Sequence, residues 1–270
     1  MNNINFAAFF NVMLMKIPYK NTQIKFKTKG KDNPLVLLHG FLESEIIWKD
    51  YQKILSKERQ VVTMDLLGHG ATGNISNIHS MGNMADAVIE VLNYLEIENA
   101  SFAGHSMGGY VIMEILKKYP EKIAKISLIN STPAEDTPEK KENRERVAGL
   151  VSKNKSAFVS MAISNLLTSE NNKKFKPEIE ILKDEAQKMA SESIIAATLG
   201  MKNRLDSVDA LKMFKGEKFI VVGMQDPVLD VANTLQIAQK TDAEIIEFPD
   251  GHLSFIENRD QLLYFLQSKA

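Results

Sequence analysis

Short apolar runs alternate with amphipathic stretches along this chain. Gln23–Lys29 (QIKFKTK) alternates polar and apolar residues, the period-two pattern of a half-exposed strand. Leu35–Leu38 (LVLL) is continuously apolar and ends at His39-Gly40, as suits a strand buried on both faces. Val61–Met64 (VVTM), Ala100–Ala103, Ile126–Ile129 (ISLI), Lys218–Val222 (KFIVV) and Glu244–Phe248 (EIIEF) read as further strands. Between them, Ser80–Leu95 places Met84, Val88, Val91, Leu92 and Leu95 on one helical face, with Ser80 as N-cap. Met107–Tyr119 reads as a helix stopped at Pro120, and Gln261–Ser268 as a closing helix. Strands alternating with helices predict a mostly parallel sheet covered on both faces.

One stretch breaks the alternation. From Pro133 to Met213 no convincing strand occurs, and helices are expected over 140–151, 156–167, 177–190 and 191–201. Residues 133–213 therefore read as a helical insert in a core made of residues 15–132 and 214–270. Phe6–Met15 (FAAFFNVMLM) is apolar but too short to span a membrane, which needs about 20 residues. No positive charge precedes it, as a signal peptide would want. Residues 1–14 are read as an extension outside the fold, with natural initiation expected at Met13 or Met15; an apolar arm or a degenerate export signal is the alternative.

Composition narrows the chemistry. With 270 residues, 44% hydrophobic and 25% charged, the chain suits one large globular α/β domain with an insert. A net charge of −1 gives no reason to expect nucleic acid or an anionic membrane as partner. The absence of cysteine excludes disulfides, thiolate metal sites and a cysteine nucleophile, and fits a cytoplasmic location.

The candidate chemistry centres on Gly104-His105-Ser106-Met107-Gly108, followed by Gly109. This is G-x-S-x-G in the context it requires, with a strand before and a helix after. Glycines two residues either side of the serine allow the sharp turn, and the helix N-terminus faces any negative charge developing there. A glycine-rich turn serving packing alone is the alternative. A serine hydroxyl needs a base. Of the five histidines, His252 follows the last strand, where the chain order Ser, acid, His expects the base. Asp226, directly after the strand Lys218–Val222, is the expected orienting acid; Asp230, at the next helix, is the rival. His39-Gly40-Phe41 follows an earlier strand and leaves the Phe41 amide to form an oxyanion hole with that of Met107. His39, Gly40, His105 and Met201 are expected to contact substrate. Asp65 reads as structural, tying its loop to backbone amides.

These motifs, HGFLES at 39–44, DLLGHG at 65–70, GHSMGG at 104–109, GMQDPV at 223–228 and GHLSFIENRD at 251–260, resemble the α/β-hydrolase superfamily. The resemblance implies an eight-stranded mostly parallel sheet, a cap domain after the sixth strand, and a triad of Ser106, Asp226 and His252. It departs from the family's more usual D-x-P-G-H-G-x-S by lacking the proline. Serine at the nucleophile position argues against the dehalogenase and epoxide hydrolase branches, which carry aspartate. The implied activity is hydrolysis of a small carboxylic ester through an acyl-enzyme, without metal or organic cofactor. Carbon–carbon bond hydrolysis or a lyase step by the same triad, and a non-catalytic ligand receptor on the same fold, remain the alternatives. Oligomeric state is not read from the sequence.

Overall fold

A computed structural model describes residues 13–270 of the chain. The expected extension and internal start fall largely on residues 1–12, outside the described residues. The strand β1 (Met13–Tyr19) begins two residues before the expected core boundary at Met15 and pairs antiparallel with β2 (Thr22–Lys29).

The strands β3 (Leu35–Leu38), β4 (Val61–Met64), β5 (Ala100–His105), β6 (Ile123–Ile129), β7 (Glu217–Gly223) and β8 (Glu244–Phe248) complete an eight-stranded sheet in the order β1-β2-β4-β3-β5-β6-β7-β8. From β4 to β8 every neighbouring pair is parallel; β2 runs antiparallel to both its neighbours. The four residues of β3 are fully buried, and they alternate between two cores. Val36 and Leu38 join one with Val62, Met64 and Ile220; Leu35 and Leu37 join the other with Val61, Phe219 and Val221. A strand buried on both faces has no polar position to spare, hence its unbroken apolar sequence.

On the first face lie α2 (Met81–Tyr94) and α3 (Met107–Lys118). The Ser80 hydroxyl accepts a bond from the Asn83 amide at 3.0 Å, as the expected N-cap should. On the other face lie α1 (Lys49–Leu55), α10 (Ser254–Glu257) and α11 (Arg259–Ser268), with fully buried Trp48 packed on Tyr51 and Phe255.

Between β6 and β7 the chain runs through α4 (Pro138–Ser164), α5 (Ser169–Lys174), α6 (Lys176–Gln187), α7 (Ser191–Lys202) and α8 (Val208–Met213), with no strand among them. The two helices expected over 140–151 and 156–167 form one element, α4, kinked at Asn154. The Asn154 side chain accepts from the Ala157 amide at 3.0 Å, capping the second half where the first stops. Phe158, Val159, Ile163 and Ile194 continue the second core without a break, so this segment is packed on the sheet domain rather than tethered to it. Among the described residues no helix is long and apolar enough to cross a membrane.

α7 is seated tightly against the loop before α2. A Cβ at Gly200 would lie 1.7 Å from the His79 carbonyl oxygen, and the His79 amide bonds to the Ala196 carbonyl at 3.0 Å. Backbone cannot yield as a side-chain tip can. Gly200→Ala should therefore lower stability by about 1–3 kcal/mol, read as a lower urea midpoint; an unchanged midpoint would mean that the helix is not packed here as described.

Candidate active site

The sheet order decides what can meet. β4 lies on one side of β3 and β5 on the other, so the loops leaving β3 and β5 diverge from adjacent strand ends and open a crevice at the carboxyl edge. Leu38 is in register with Gly104, which brings the loop beginning at His39 beside the turn at Ser106. Ser106 itself has φ 49° and ψ −113°, a conformation that a non-glycine residue adopts only when its surroundings enforce it. The enforcement is backbone contact. A Cβ at Gly104 would meet the Gly108 carbonyl carbon at 2.5 Å, and a Cβ at Gly108 would meet the Leu38 carbonyl oxygen at 2.6 Å. Only hydrogen fits at either position, which gives G-x-S-x-G its spacing.

Three side chains converge at this turn. The Ser106 hydroxyl, half-buried, lies 3.0 Å from Nε2 of His252, and Nδ1 of His252 lies 2.7 Å from Oδ2 of Asp226. With Nδ1 donating to the carboxylate, Nε2 is left as an acceptor facing the hydroxyl. Oδ1 of Asp226 accepts from the amides of Val228 at 2.8 Å and Leu229 at 3.0 Å. Burial works against charge on Asp226, but the His252 ring and these two amides outweigh it and hold the carboxyl below the ordinary carboxylate range. The rival acid, Asp230, is the N-cap of α9 (Val231–Thr241), where its side chain accepts from the Asn233 amide at 3.0 Å.

The amides of Phe41 and Met107 have no protein acceptor among the described residues. That of Met107 is at the first position of α3, where a helix leaves its amides unpaired.

Four residues expected to contact substrate are turned to other work. His39 is fully buried; Nδ1 lies 2.7 Å from the Gly40 carbonyl, and Nε2 accepts from the Leu66 amide at 2.9 Å. That pattern suits a neutral ring, and burial pushes its pKa down. The Gly40 amide donates to Glu43 at 2.5 Å. His105 is fully buried between Glu43 and the His252 carbonyl. Met201 is buried in the first core, with its sulfur 3.4 Å from Nη1 of Arg144. Motif neighbours of the serine thus support the loops rather than face an open site. Asp65 accepts from the amides of Glu45 and Ala71, both at 2.9 Å, and so ties its loop together as expected.

Other residues at the site were not singled out from the sequence. Asn130, at the end of β6 with φ 45°, donates from Nδ2 to Oδ2 of Asp226 at 3.2 Å and to the Gly251 carbonyl at 3.1 Å, joining the loops that carry Asp226 and His252. An asparagine ending an apolar strand is its only local mark. Glu257 accepts from the Gly251 amide at 3.2 Å and the Leu253 amide at 2.8 Å, bracketing His252 on both sides. From the helical segment, the Leu166 carbonyl accepts from the His252 amide at 3.3 Å, and Asn171 donates to Glu257 at 2.7 Å. A cavity of about 720 Å³ opens beside these contacts, lined in part by Tyr110, Thr132, Arg144, Leu166, Arg204 and Leu229. Of the apolar residues between β6 and β7 that could have faced a pocket, Leu166 lines this cavity, Phe158 is buried in the core, and Met161 is half exposed at the surface. No group of three His, Asp or Glu side chains among the described residues is arranged to hold a metal ion.

The model of the alpha/beta hydrolase fold family matches residues 33–259. The chain belongs to that family. In its fold, the chain is similar to an esterase from Thermogutta terrifontis whose structure has malate bound, with TM-score 0.87 and 28% identity over 94% of this chain and 97% of that one. Curated family relatives match over shorter stretches. A dihydrolipoyllysine-residue acetyltransferase component of the acetoin cleaving system of Pseudomonas putida is 37% identical over 36% of this chain and 26% of its own length. The sn-1-specific diacylglycerol lipase ABHD11 of Xenopus laevis is 31% identical over 39% and 34%. The matched stretch is thus well under half of either relative.

Buried charge around the site sets how the family fold should respond to pH here. Glu43, Asp136 and Asp226 all lie below the ordinary carboxylate range: burial opposes their charge, but His105, Arg144 with Arg204, and His252 respectively outweigh it. Each is a depressed acid, so the unfolded chain binds more protons as pH falls. Stability that is complete above about pH 5 should decline from about pH 4.5 downward. His105 is shifted the other way: burial lowers its pKa, but Glu43 more than compensates and raises it. Its contribution is complete below the ordinary histidine range and lost as pH rises through the raised value. Urea midpoints measured across pH should therefore fall on both flanks; a midpoint flat from about pH 6 to pH 3 would contradict these assignments.

Proposed function

We propose that the chain is a serine hydrolase acting on a small carboxylic ester, with Ser106 as nucleophile, His252 as base and Asp226 as orienting acid. The observation that carries the reading is the continuous chain of contacts from Asp226 to His252 to Ser106, ending on a serine held at positive φ above the crevice. Similarity over nearly the whole chain to an esterase supports the same class of substrate.

The steps follow from the geometry. Oγ of Ser106 attacks the ester carbonyl carbon while Nε2 of His252 takes the hydroxyl proton. The carbonyl oxygen becomes an oxyanion between the amides of Phe41 and Met107, both without a protein acceptor among the described residues. As this intermediate collapses, His252 returns the proton to the departing alkoxide, which leaves as the alcohol, and an acyl-Ser106 ester remains. A water molecule then gives a proton to His252 and adds to the acyl carbon; collapse returns the proton to Oγ and releases the carboxylic acid. Asp226 keeps Nδ1 protonated and stabilises the imidazolium at each transfer without itself becoming protonated.

The helices of residues 133–213 serve in this reading as a cap that limits what reaches Ser106. The cavity lined by α4, Arg144, Arg204 and Leu166 adjoins the loop of Asp226 through Pro227, Val228 and Leu229, while Ser106 and His252 are not among its lining residues.

Ser106→Ala should reduce ester turnover by on the order of 10⁴–10⁶ in kcat with an unchanged urea midpoint. Asp226→Asn, which alters the tautomer of His252, should cost on the order of 10⁴. Both are read with a short-chain aryl ester. Full turnover by folded Ser106→Ala protein would refute the assignment.

A further inference from the structure

A second buried carboxylate lies behind the reacting groups, and the steps above do not use it. Glu43 stands in the loop after β3 with 5% of its surface exposed, and the neighbouring His105 is fully buried. Nδ1 of His105 lies 3.1 Å from both carboxylate oxygens of Glu43. Nε2 of His105 lies 2.9 Å from the backbone carbonyl of His252.

The donors and acceptors give the charges once Glu43 is ionised. Burial opposes that charge, but His105 and the Gly40 amide hold its carboxyl below the ordinary range. A carbonyl oxygen can only accept, so Nε2 carries a proton. The ionised Glu43 carboxylate, which accepts from the Gly40 amide at 2.5 Å, has no proton to give, so Nδ1 donates to it. An imidazole that donates from both nitrogens is an imidazolium. The groups around the pair agree with this. His39, from the same loop as Glu43, has its own ring nitrogens committed to the Gly40 carbonyl and the Leu66 amide. The rings of His252 and Phe255 pack at 5.1 and 5.0 Å from that of His105, and the charge of Asp226 adds to the attraction for a cation.

The pair touches three loops at once. Through Gly40 it holds the segment that presents the Phe41 amide. Through His105 it is bonded in sequence to Ser106. Through the His252 carbonyl it holds the loop that carries the base. Gly40 leaves room for it: a Cβ there would lie 2.8 Å from Oε2 of Glu43 and 2.9 Å from Nδ1 of His105. We infer that Glu43 and His105 form a buried carboxylate–imidazolium clamp that sets the oxyanion loop and the base loop in register with Ser106, and that both are positioning residues for the reaction. This inference rests on the hydrolase reading above.

The test is Glu43→Gln, which keeps the shape and removes the charge. Displacing reacting groups by about 1 Å can cost on the order of 10²-fold in rate. The expected result is a fall in kcat of about 10–10²-fold with KM changed by no more than about twofold, since the clamp touches no substrate. Nitrogen-15 NMR of the ring supplies an independent reading. In the wild type at about pH 7, just above the ordinary histidine value, both nitrogens of His105 should carry protons; in Glu43→Gln one should be bare. A folded Glu43→Gln protein with the wild-type kcat, a KM increase alone, or a singly protonated His105 in the wild type would each overturn the clamp. Should Glu43→Gln fail to fold, Glu43→Asp keeps the charge but shortens its reach: reduced kcat with His105 still doubly protonated is then expected, and undiminished kcat overturns the inference. Failure of the hydrolase reading looks different. Wild-type protein that turns over no ester while His105 remains doubly protonated would remove the reaction, and with it the positioning role, yet leave the ion pair intact.

Discussion

The backbone turn at Ser106 is the constraint on which the rest of the structure depends. A residue with a side chain is held at φ 49° because Gly104 and Gly108 close on backbone with no room for a Cβ, Gly108 against the end of β3 itself. Such strain costs on the order of 1–3 kcal/mol and persists only where packing over-determines it. Here the packing is the central pair of parallel strands, β3 and β5, buried on both faces. The direction of α3 and the exposure of the amide at its first position follow from that turn. So does the meeting of loops that are far apart in sequence.

Around the turn, three buried carboxylates face basic side chains, while buried Glu257 is held by amides and Asn171. Asp226 faces His252, Glu43 faces His105, and Asp136 faces Arg144 and Arg204. Removing one partner from such a pair leaves an uncompensated charge in a low dielectric, which typically costs about 3–5 kcal/mol. These pairs are therefore expensive to alter singly, and they add directional bonds that apolar packing lacks. They also tie the segment between β6 and β7 to the chemistry. Asp136 and Arg144 anchor the start of α4, while Leu166 and Asn171 reach the loop of His252.

The sheet and the line of contacts at Ser106 were legible in the sequence for identifiable reasons. Strands buried on both faces read as nearly unbroken apolar runs, which made β3, β4 and the buried part of β7 visible; β8 (EIIEF), with only Phe248 buried, showed as a shorter apolar segment between glutamates. The turn at Ser106 was legible because its glycines are required locally, within two residues of that serine. Asp226 and His252 were legible because each directly follows a strand, in a fixed chain order. What could not be read depends on pairing over long separations. Glu43 meets His105 across 62 positions, and Asn130 meets Asp226 across 96 and Gly251 across 121. The short helix α1 has only seven residues, too few to show a period clearly. Nearness in a motif does not give the direction of a side chain, so the partners of His39, Gly40, His105 and Met201 were not readable from sequence. All four are buried, and their polar groups serve the protein.

The central claim is that Ser106, and no other serine, is activated by the groups around it. The most direct measurement is covalent labelling of the folded protein with a fluorophosphonate, followed by intact-mass and peptide mass spectrometry. The account predicts one adduct per chain, located on Ser106 and absent after urea unfolding. An unlabelled folded protein, or an adduct on a different serine, would contradict it.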